Sequence, residues 1–524
     1  MLFFIRLLVV GSLFVTSLQA QSDENQPYSF EILGNKTVSE AELQQELTKF
    51  QTASLTVELL KEIETAVFNV YVQRGIIATV KIPPQDLENN LIKINVYETR
   101  LGQITLDAPT DLGFNQDRIV AMVKKQLSDQ PVLTVQNLEA TAKNIDALEG
   151  INAKIVLEKG SQLGFPTTKV RLTDAPLLNV KLQLDNYGSE AVGERRDNVD
   201  VQFNGLFDLG ERIALGSVST DGSQLDSLDV DLPWGNAGSI LSYGVRASEY
   251  EVTDFDVPLG LFEGFRGDSR STYATYTLPE YRYGNILMTS ALNYSLTKAL
   301  DYLNFTILSQ NSGDKKIANL SLIQTLTYDN PAEALAVNAT VSITRGKTAY
   351  FNPNNQLSDS LSIEAAGHFN KVNADIGLQK GLPNSAVFSI LLSAQIATKN
   401  LDRTQEKILT GPTAVRAYPV GLVSADEALV LKIDWNQVIN ERIAVFLFQD
   451  FAWGQTHDNT WENWNTPNFE PNNFSLMGAG LGINASLTSW LTMNIQASKP
   501  LGKCKVCAIN TDESQVWAVL TGTY

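Results

Sequence analysis

The segment Leu178–Asp185, with the sequence LNVKLQLD, alternates apolar and polar residues at every position. The segment Leu241–Ser248, LSYGVRAS, repeats this alternation. A period of two places the apolar side chains on one face of a β-strand and the polar side chains on the other. The chain from residue 177 onward is therefore predicted to be all-β with one apolar face, as either a soluble sandwich or a membrane barrel.

The amino-terminal residues favour the barrel. Residues 1–20 contain one positive charge at Arg6, an apolar run from Leu7 to Leu18 and a small residue at Ala20, which predicts a cleaved signal peptide. An uncleaved anchor is the alternative, but the apolar run is short for a membrane span. No later stretch approaches about 18 apolar residues, so a membrane-spanning mature chain would need a closed barrel. We therefore predict an outer-membrane β-barrel over residues 177–524.

The length of this region limits the number of strands. A tilted spanning strand needs about 9 to 11 residues plus part of a turn, so about fourteen, sixteen or eighteen strands fit. The last predicted strand, Gln515–Tyr524, ends in an aromatic residue. Short turns are expected at Asn236–Gly238 and Asn384–Ser385, on the periplasmic side. Longer loops are expected on the outer side at residues 253–269, 351–360, 402–424 and 456–473.

Composition argues against several function classes. Asp and Glu outnumber Lys and Arg by 58 to 40, giving a formal net charge of −18, so nucleic acid is not expected as a partner. The only histidines, His368 and His457, accompany no Gly-x-Ser-x-Gly motif, so a hydrolase triad is not expected. Gly346–Thr348 resembles the end of a phosphate loop, but Val341 stands where the first glycine belongs. We expect no enzymatic activity and no cofactor or metal.

Cys504 and Cys507 are the only cysteines. A lone Cys-x-x-Cys pair is compatible with a redox motif, half a zinc site or a small disulfide loop. Zinc is weakly supported because there is no second cysteine pair. After a signal peptide, a disulfide between Cys504 and Cys507 is the favoured interpretation.

Between the signal peptide and the barrel, two segments have the same order of predicted elements. Residues 28–100 read as strand, helix, helix, strand, strand, with Ser39 and Glu42 predicted to form a capping box. Residues 101–176 repeat this β-α-α-β-β order. The sequence therefore predicts two small α/β modules before the barrel.

Two charged residues in the barrel region are unusual. Arg416 lies in the run Gly411–Pro419, between two strand-like segments, and is predicted to be on a loop. Asp450 lies within the strand-like segment Arg442–Trp453, on the face opposite to Ile443 and its apolar neighbours. A charge facing lipid at the bilayer midplane costs up to about 2 to 4 kcal/mol, so Asp450 is expected to face the lumen. An ion pair with Arg416 is then possible; the alternative is a well-solvated pair of little energetic value.

The run Val415-Arg416-Ala417-Tyr418-Pro419 resembles the signature of the outer-membrane transporters of two-partner secretion, the haemolysin secretion and activation proteins. The two modules resemble polypeptide-transport-associated (POTRA) domains, with matches at Gly34–Asn35, Tyr71, Gly75 and Pro83–Leu87. Asp185–Gly188 matches the family at the first barrel strand. The chain departs from the family pattern at Asn90 and Ala452, where the family commonly has glycine.

This resemblance implies the architecture and the activity. It implies a barrel of about sixteen strands, with a loop at about residues 402–424 folded inward and held by an Arg416–Asp450 pair. It also implies POTRA domains in the periplasm that recognise one large β-helical exoprotein, which is secreted through the barrel without ATP. Further expected partners are outer-membrane lipid and, during biogenesis, the barrel assembly machinery. Only residues 21–27 separate the signal peptide from the first module, so a plug helix is not expected.

Two other functions use related architecture. An assembly factor that inserts other barrels belongs to the same superfamily, but two modules and the Ala417–Pro419 pattern favour secretion. A passive porin is disfavoured because porins lack periplasmic modules. The sequence does not identify the exoprotein.

Overall fold

The computed structural model describes residues 27–86, 90–109, 115–235, 238–252, 262–305, 308–465, 471–507 and 513–524. The predicted signal peptide and residues 236–237 of a predicted turn lie outside these ranges. The chain divides into two compact units. One contains the described residues up to Thr105 with 126–141 and 155–170; the other contains 106–125, 142–154 and 171–524, as far as these are described.

The first module has the predicted element order. It comprises β1 (Ser29–Leu33), α1 (Glu40–Leu47), α2 (Val57–Gln73), β2 (Ala78–Lys81) and β3 (Leu91–Glu98). The sheet order is β1-β3-β2, with β1 parallel and β2 antiparallel to β3. The predicted capping box is wrong, since Ser39 occupies the N-cap of α1 but its side chain makes no capping hydrogen bond. Thr56 does cap α2, accepting from the Leu59 N–H at 3.0 Å.

The second module repeats the order. It comprises β4 (Ile104–Asp107), α3 (Gln116–Leu127), α4 (Val135–Asp146), β5 (Ile151–Gln162) and β6 (Phe165–Asp174), with sheet order β4-β6-β5. Strand β5 continues through Gly160, and the turn to β6 is made at Gly164, which has φ +81°. None of the described helices is long and apolar enough to cross a membrane.

The remaining strands, apart from two in an inserted loop, form a closed antiparallel barrel. They and the strands of one inserted loop are β7 (Leu178–Asp185), β8 (Arg196–Asn204), β9 (Arg212–Ser219), β10 (Ser223–Trp234), β11 (Ser239–Val252), β12 (Phe262–Thr277), β13 (Tyr281–Tyr283), β14 (Ile286–Phe305), β15 (Leu308–Asn330), β16 (Leu335–Tyr350), β17 (Gly367–Leu382), β18 (Ala386–Ala397), β19 (Lys407–Ile408), β20 (Ser424–Ala425), β21 (Glu427–Asn440), β22 (Ile443–Gln455), β23 (Asn473–Ser486), β24 (Leu491–Pro500) and β25 (Gln515–Thr523). The short β13 pairs with the same edge of β14 as β12, while β19 and β20 pair only with each other. The wall therefore has sixteen strands, which confirms the prediction.

Two of the predicted outer loops are partly regular. The expected loop at residues 253–269 is shorter, because β12 already begins at Phe262. The expected loop at 351–360 contains a helix, α5 (Pro353–Ser360), capped by the side chain of Asn352.

Strand register places one face of each wall strand outside and the other in the lumen. On β22, Ile443, Val445 and Leu447 are exposed, while Phe448 and Asp450 point inward and are buried. Inside the barrel, aromatic side chains lie across glycines of the adjacent strand. Tyr250 faces Gly267 in register and reaches over it to donate a 2.9 Å hydrogen bond to Asp301, on the strand beyond. A side chain at Gly267 would collide with the Tyr250 ring.

Candidate functional site

The loop between β18 and β21 is a folded hairpin. Strands β19 and β20 pair at its base, and the Leu409 N–H donates to the Val423 carbonyl at 2.9 Å. Beyond this base, Val415 bonds back to Leu409 and Gly411, which makes a compact turn. Gly411 has φ +105°, a conformation that favours glycine. The segment is therefore a defined structural element.

The tip of this hairpin is buried. Val415 is 0% exposed, Ala417 and Tyr418 1%, and Arg416 5%, while Pro419 is half-buried. Val415, Ala417 and Tyr418 belong to an apolar cluster with side chains of β21, β22 and β23, which we call the loop cluster. Its buried members are Leu409, Ala414, Val415, Ala417, Tyr418, Val423, Ala425, Ala428, Val430, Ala452, Phe474 and Leu476. The tip is buried against inward-facing residues of the wall, so it lies inside the barrel.

Arg416 forms an ion pair with Asp450. The Asp450 carboxylate accepts three hydrogen bonds from Arg416, at 2.9 Å from the backbone N–H, 2.8 Å from Nε and 2.6 Å from Nη2. Asp450 is 0% exposed. The guanidinium also donates from Nη1 to Asp434 at 2.8 Å and lies over the Phe448 ring, 3.6 Å from its centroid. Bidentate pairing with a buried carboxylate is among the stronger polar interactions in proteins.

The backbone of Arg416 is bound as firmly as its side chain. Its carbonyl accepts hydrogen bonds from Ser498 Oγ and from Trp517 Nε1, both at 2.7 Å. Next to it, Ala417 packs where a side chain at Gly478 would stand. Residues 416 and 417 thereby contact the five consecutive strands β21 to β25.

A second anchor lies at the start of the loop. Asp402 accepts hydrogen bonds from Lys315 Nζ at 3.0 Å, Tyr350 Oη at 2.9 Å and Thr404 Oγ1 at 2.7 Å. Burial acts to raise the pKa of Asp402, but Lys315 and Thr404 outweigh it and the pKa is lowered. Nearby, the Gln405 carbonyl accepts from Lys371 Nζ at 2.9 Å. These partners lie on β15, β16 and β17, so the two anchors attach the loop to different parts of the wall.

The sequence did not predict this second anchor. Lys315 and Asp402 are 87 positions apart, and no local motif connects them. The only available signal was a lysine on the inward face of a strand and an aspartate at the start of a predicted loop. Their pairing depends on strand register, which alternation alone does not specify.

A disulfide joins Cys504 and Cys507, whose Cα atoms are 5.4 Å apart. It lies between β24 and β25, and both cysteines, with Val506, pack against the loop cluster. Within the described part of the chain, no group of three or more His, Cys, Asp or Glu side chains could hold a metal ion. His457 packs instead against Trp461 and Trp464.

On the outer side, Asp426 connects the loop to the next outer loop. Its carboxylate accepts from the Leu401 N–H at 2.9 Å and from the Asp458 N–H at 3.0 Å. Asn400 reinforces this connection through both its amide atoms, which bond the backbone of Asn459. Burial raises the pKa of Asp426 to about 7, and the carboxylates of Glu406 and Asp458 act in the same direction.

Comparison with known proteins identifies two family models and related proteins that match most of the chain. A family model described as haemolysin secretion/activation protein ShlB/FhaC/HecB matches residues 168–485, and a model of the ShlB-type POTRA domain matches residues 28–99. The heme/hemopexin transporter protein HuxB of Haemophilus influenzae (strain 86-028NP) is 22% identical over 474 residues, covering 86% of this chain and 78% of HuxB.

Solved structures share the fold. CdiB from Escherichia coli superposes with a TM-score of 0.69 at 18% identity, covering 97% of this chain and 93% of CdiB. CdiB from Acinetobacter baumannii gives 0.67 at 14%, covering 96% and 92%. BamA from Haemophilus ducreyi, lacking POTRA domains 1–3, gives 0.54 at 14%, covering 95% and 100%. At these identities, the likeness concerns the fold alone.

We predict that Asp450→Asn weakens the anchor much more than Asp434→Asn. Asp450 accepts three bonds and is fully buried, so its loss should cost about 3 to 5 kcal/mol. Asp434 accepts one bond from Arg416 and is partly exposed, so the cost should be about 1 kcal/mol. The measurement is the temperature at which the purified protein loses its folded electrophoretic mobility. Equal shifts for the two variants would contradict the anchor assignment.

A second prediction concerns pH. The folded-state pKa of Asp426 lies above that of an unfolded aspartate, so its contribution to stability is complete below about pH 4 and is lost as the pH rises through about 7. The unfolding temperature of the native protein should therefore fall between about pH 4 and 7, and Asp426→Asn should flatten this dependence. Asp197→Asn, at an exposed carboxylate, is the control and should leave it unchanged. An unaltered pH dependence in Asp426→Asn would refute the prediction.

Proposed function

The chain belongs to the haemolysin secretion/activation family and is a transporter of two-partner secretion; from this premise we propose that its barrel conducts one large cognate exoprotein across the outer membrane. The observation that carries this proposal is a closed barrel preceded by two α/β modules and containing a loop anchored inside it. The family match favours secretion over the insertion of other barrels, although BamA shares the fold.

We infer that the POTRA domains face the periplasm and receive the exoprotein at their sheet edges. In the first module β1 and β2 are edge strands, and in the second β4 and β5 are. An edge strand has unpaired N–H and C=O groups, which an extended peptide satisfies by adding a strand. Such binding depends more on backbone hydrogen bonds than on side chains, so it can accommodate an exoprotein that is still unfolded.

The inner wall away from the loop suits passage of an unfolded chain. Hydroxyl groups there pair across neighbouring strands, as in Ser248–Ser269 at 2.8 Å, Ser321–Thr344 at 2.8 Å and Thr325–Thr340 at 3.2 Å. Because these neutral hydroxyl groups hydrogen-bond to each other, the inner wall is hydrophilic but offers few strong binding sites to a chain that passes through the lumen. With no nucleotide site expected, we propose that folding of the β-helical exoprotein outside drives its movement.

The remaining partners are also proposals. Exposed apolar residues on the outer face, such as Leu182, Leu292 and Leu447, would contact outer-membrane lipid. Tyr524 follows the last strand and is 91% exposed, which leaves an aromatic residue available to the barrel assembly machinery.

Deletion of the gene should test export directly. We expect one very large protein to disappear from the culture supernatant while the other outer-membrane barrels keep their abundance, measured by quantitative proteomics of both fractions. A general fall in outer-membrane barrels would support the insertase instead. If neither the supernatant nor the outer-membrane fraction changes and the purified barrel conducts ions, the result would support a passive porin.

We also propose that the anchored loop restricts the resting pore. Deletion of residues 414–419, or Asp450→Asn, should raise the single-channel conductance in planar bilayers because the tip leaves the lumen. Asp434→Asn is the matched control and should change conductance little. Unchanged conductance after the deletion would exclude the loop as the restricting element.

A further inference from the structure

The barrel closes where β25 meets β7, a contact that we call the seam. The register of the seam runs from Lys181–Thr523 to Asp185–Val519, and Val180 and Tyr524 exchange two further backbone hydrogen bonds at 2.8 Å. By comparison, β24 pairs with β25 from Leu491–Gly522 to Ser498–Gln515. Beyond Asp185 the regular β7 ladder is reduced to one backbone bond, from the Asn186 N–H to the Ala518 carbonyl at 3.3 Å. The Ala518 N–H and the Val516 carbonyl of β25 therefore need other partners.

The side chain of Asn186 supplies these partners. Its Nδ2 donates to the Val516 carbonyl at 2.8 Å, and its Oδ1 accepts from the Ala518 N–H at 2.8 Å. A primary amide presents a donor and an acceptor side by side, as two backbone groups of a strand do. With its backbone N–H and its side chain, Asn186 therefore extends the seam by one further step beyond the regular ladder.

The residue between these two backbone groups is Trp517. Strand alternation points its side chain into the barrel, where the indole N–H donates to the Arg416 carbonyl. Tyr187, adjacent to Asn186, packs edge-on against the Trp517 ring with centroids 5.8 Å apart. One short stretch of β25 is thus bound by the seam from one side and by the loop from the other.

We propose that Asn186 and Trp517 couple the docked loop to the closed seam. Asn186 is a positioning residue, since it contacts β25 and acts on Arg416 only through Trp517. Coupling between two sites is reciprocal, so loosening the seam favours release of the loop and releasing the loop loosens the seam. This inference concerns the conformation of the transporter and does not depend on which exoprotein it exports.

Loop release is measured with a cysteine at Ala414, which is 3% exposed and becomes accessible to a maleimide only when the tip leaves its site. In the full-length, oxidised protein carrying Ala414→Cys, Asn186→Ala should raise the labelling rate about fivefold to tenfold, as expected for about one net hydrogen bond. Asn440→Ala is the matched control. The Asn440 side chain accepts from the Arg442 and Ile443 N–H groups in a turn remote from the loop, so its loss should leave labelling unchanged.

Unchanged labelling in Asn186→Ala, together with a lower unfolding temperature, would show a purely structural role and overturn the proposal. Equal acceleration in Asn440→Ala would overturn it as well, by showing that any destabilisation releases the loop. If Asn186→Ala does not fold, the converse measurement replaces it. Asp450→Asn should then increase hydrogen exchange in residues 515–523, and unchanged exchange there would refute the coupling.

Discussion

The interior of this barrel is organised around one buried charge pair. A fully buried carboxylate is tolerated only when its lone pairs are satisfied, and Asp450 is satisfied by a residue that arrives from a loop. The docked loop is therefore what allows this carboxylate to be buried. Once Arg416 is in place, its carbonyl, the Phe448 ring and the neighbouring apolar residues have defined positions. The apolar loop cluster and the charge pair thus depend on each other.

Strand register determines where such contacts can form. Aromatic side chains reach across glycines to acids two strands away, and this works only when all three residues lie in one row of the sheet. A glycine is also required at position 478, because Ala417 of the loop occupies the space that a side chain there would fill. A shift by one residue on any of these strands would turn the row outward, so each of these contacts requires the observed register.

The helical periodicity of the modules was enough to predict their element order. Alternation at Leu178–Asp185 predicted an all-β region but not whether it is a sandwich or a barrel; the predicted signal peptide favoured the barrel, and the family resemblance implied sixteen strands. Asp450 stood out because a lone carboxylate in an apolar strand has few stable environments. Lys315 and Asp402 did not stand out, since each is an ordinary polar residue in its own segment and their contact exists only through register. The Ser39 side chain failed to cap its helix for a similar reason: a motif states which bonds are possible, while the surrounding structure decides which form. The inward direction of the loop came from the family resemblance, because no local pattern distinguishes a loop that enters a barrel from one that projects outward.

The small disulfide ring has a consequence for the order of assembly. The bond between Cys504 and Cys507 closes a ring of only a few residues, so it can form before any strand is paired and adds little to global stability. Its effect is on shape, because it orders in advance a surface that packs on the loop cluster and so reduces the entropy lost when the two meet. Oxidation of the two cysteines therefore does not depend on strand pairing and can precede docking of the loop. A barrel matured under reducing conditions would close normally but would contain a loop that is less firmly seated.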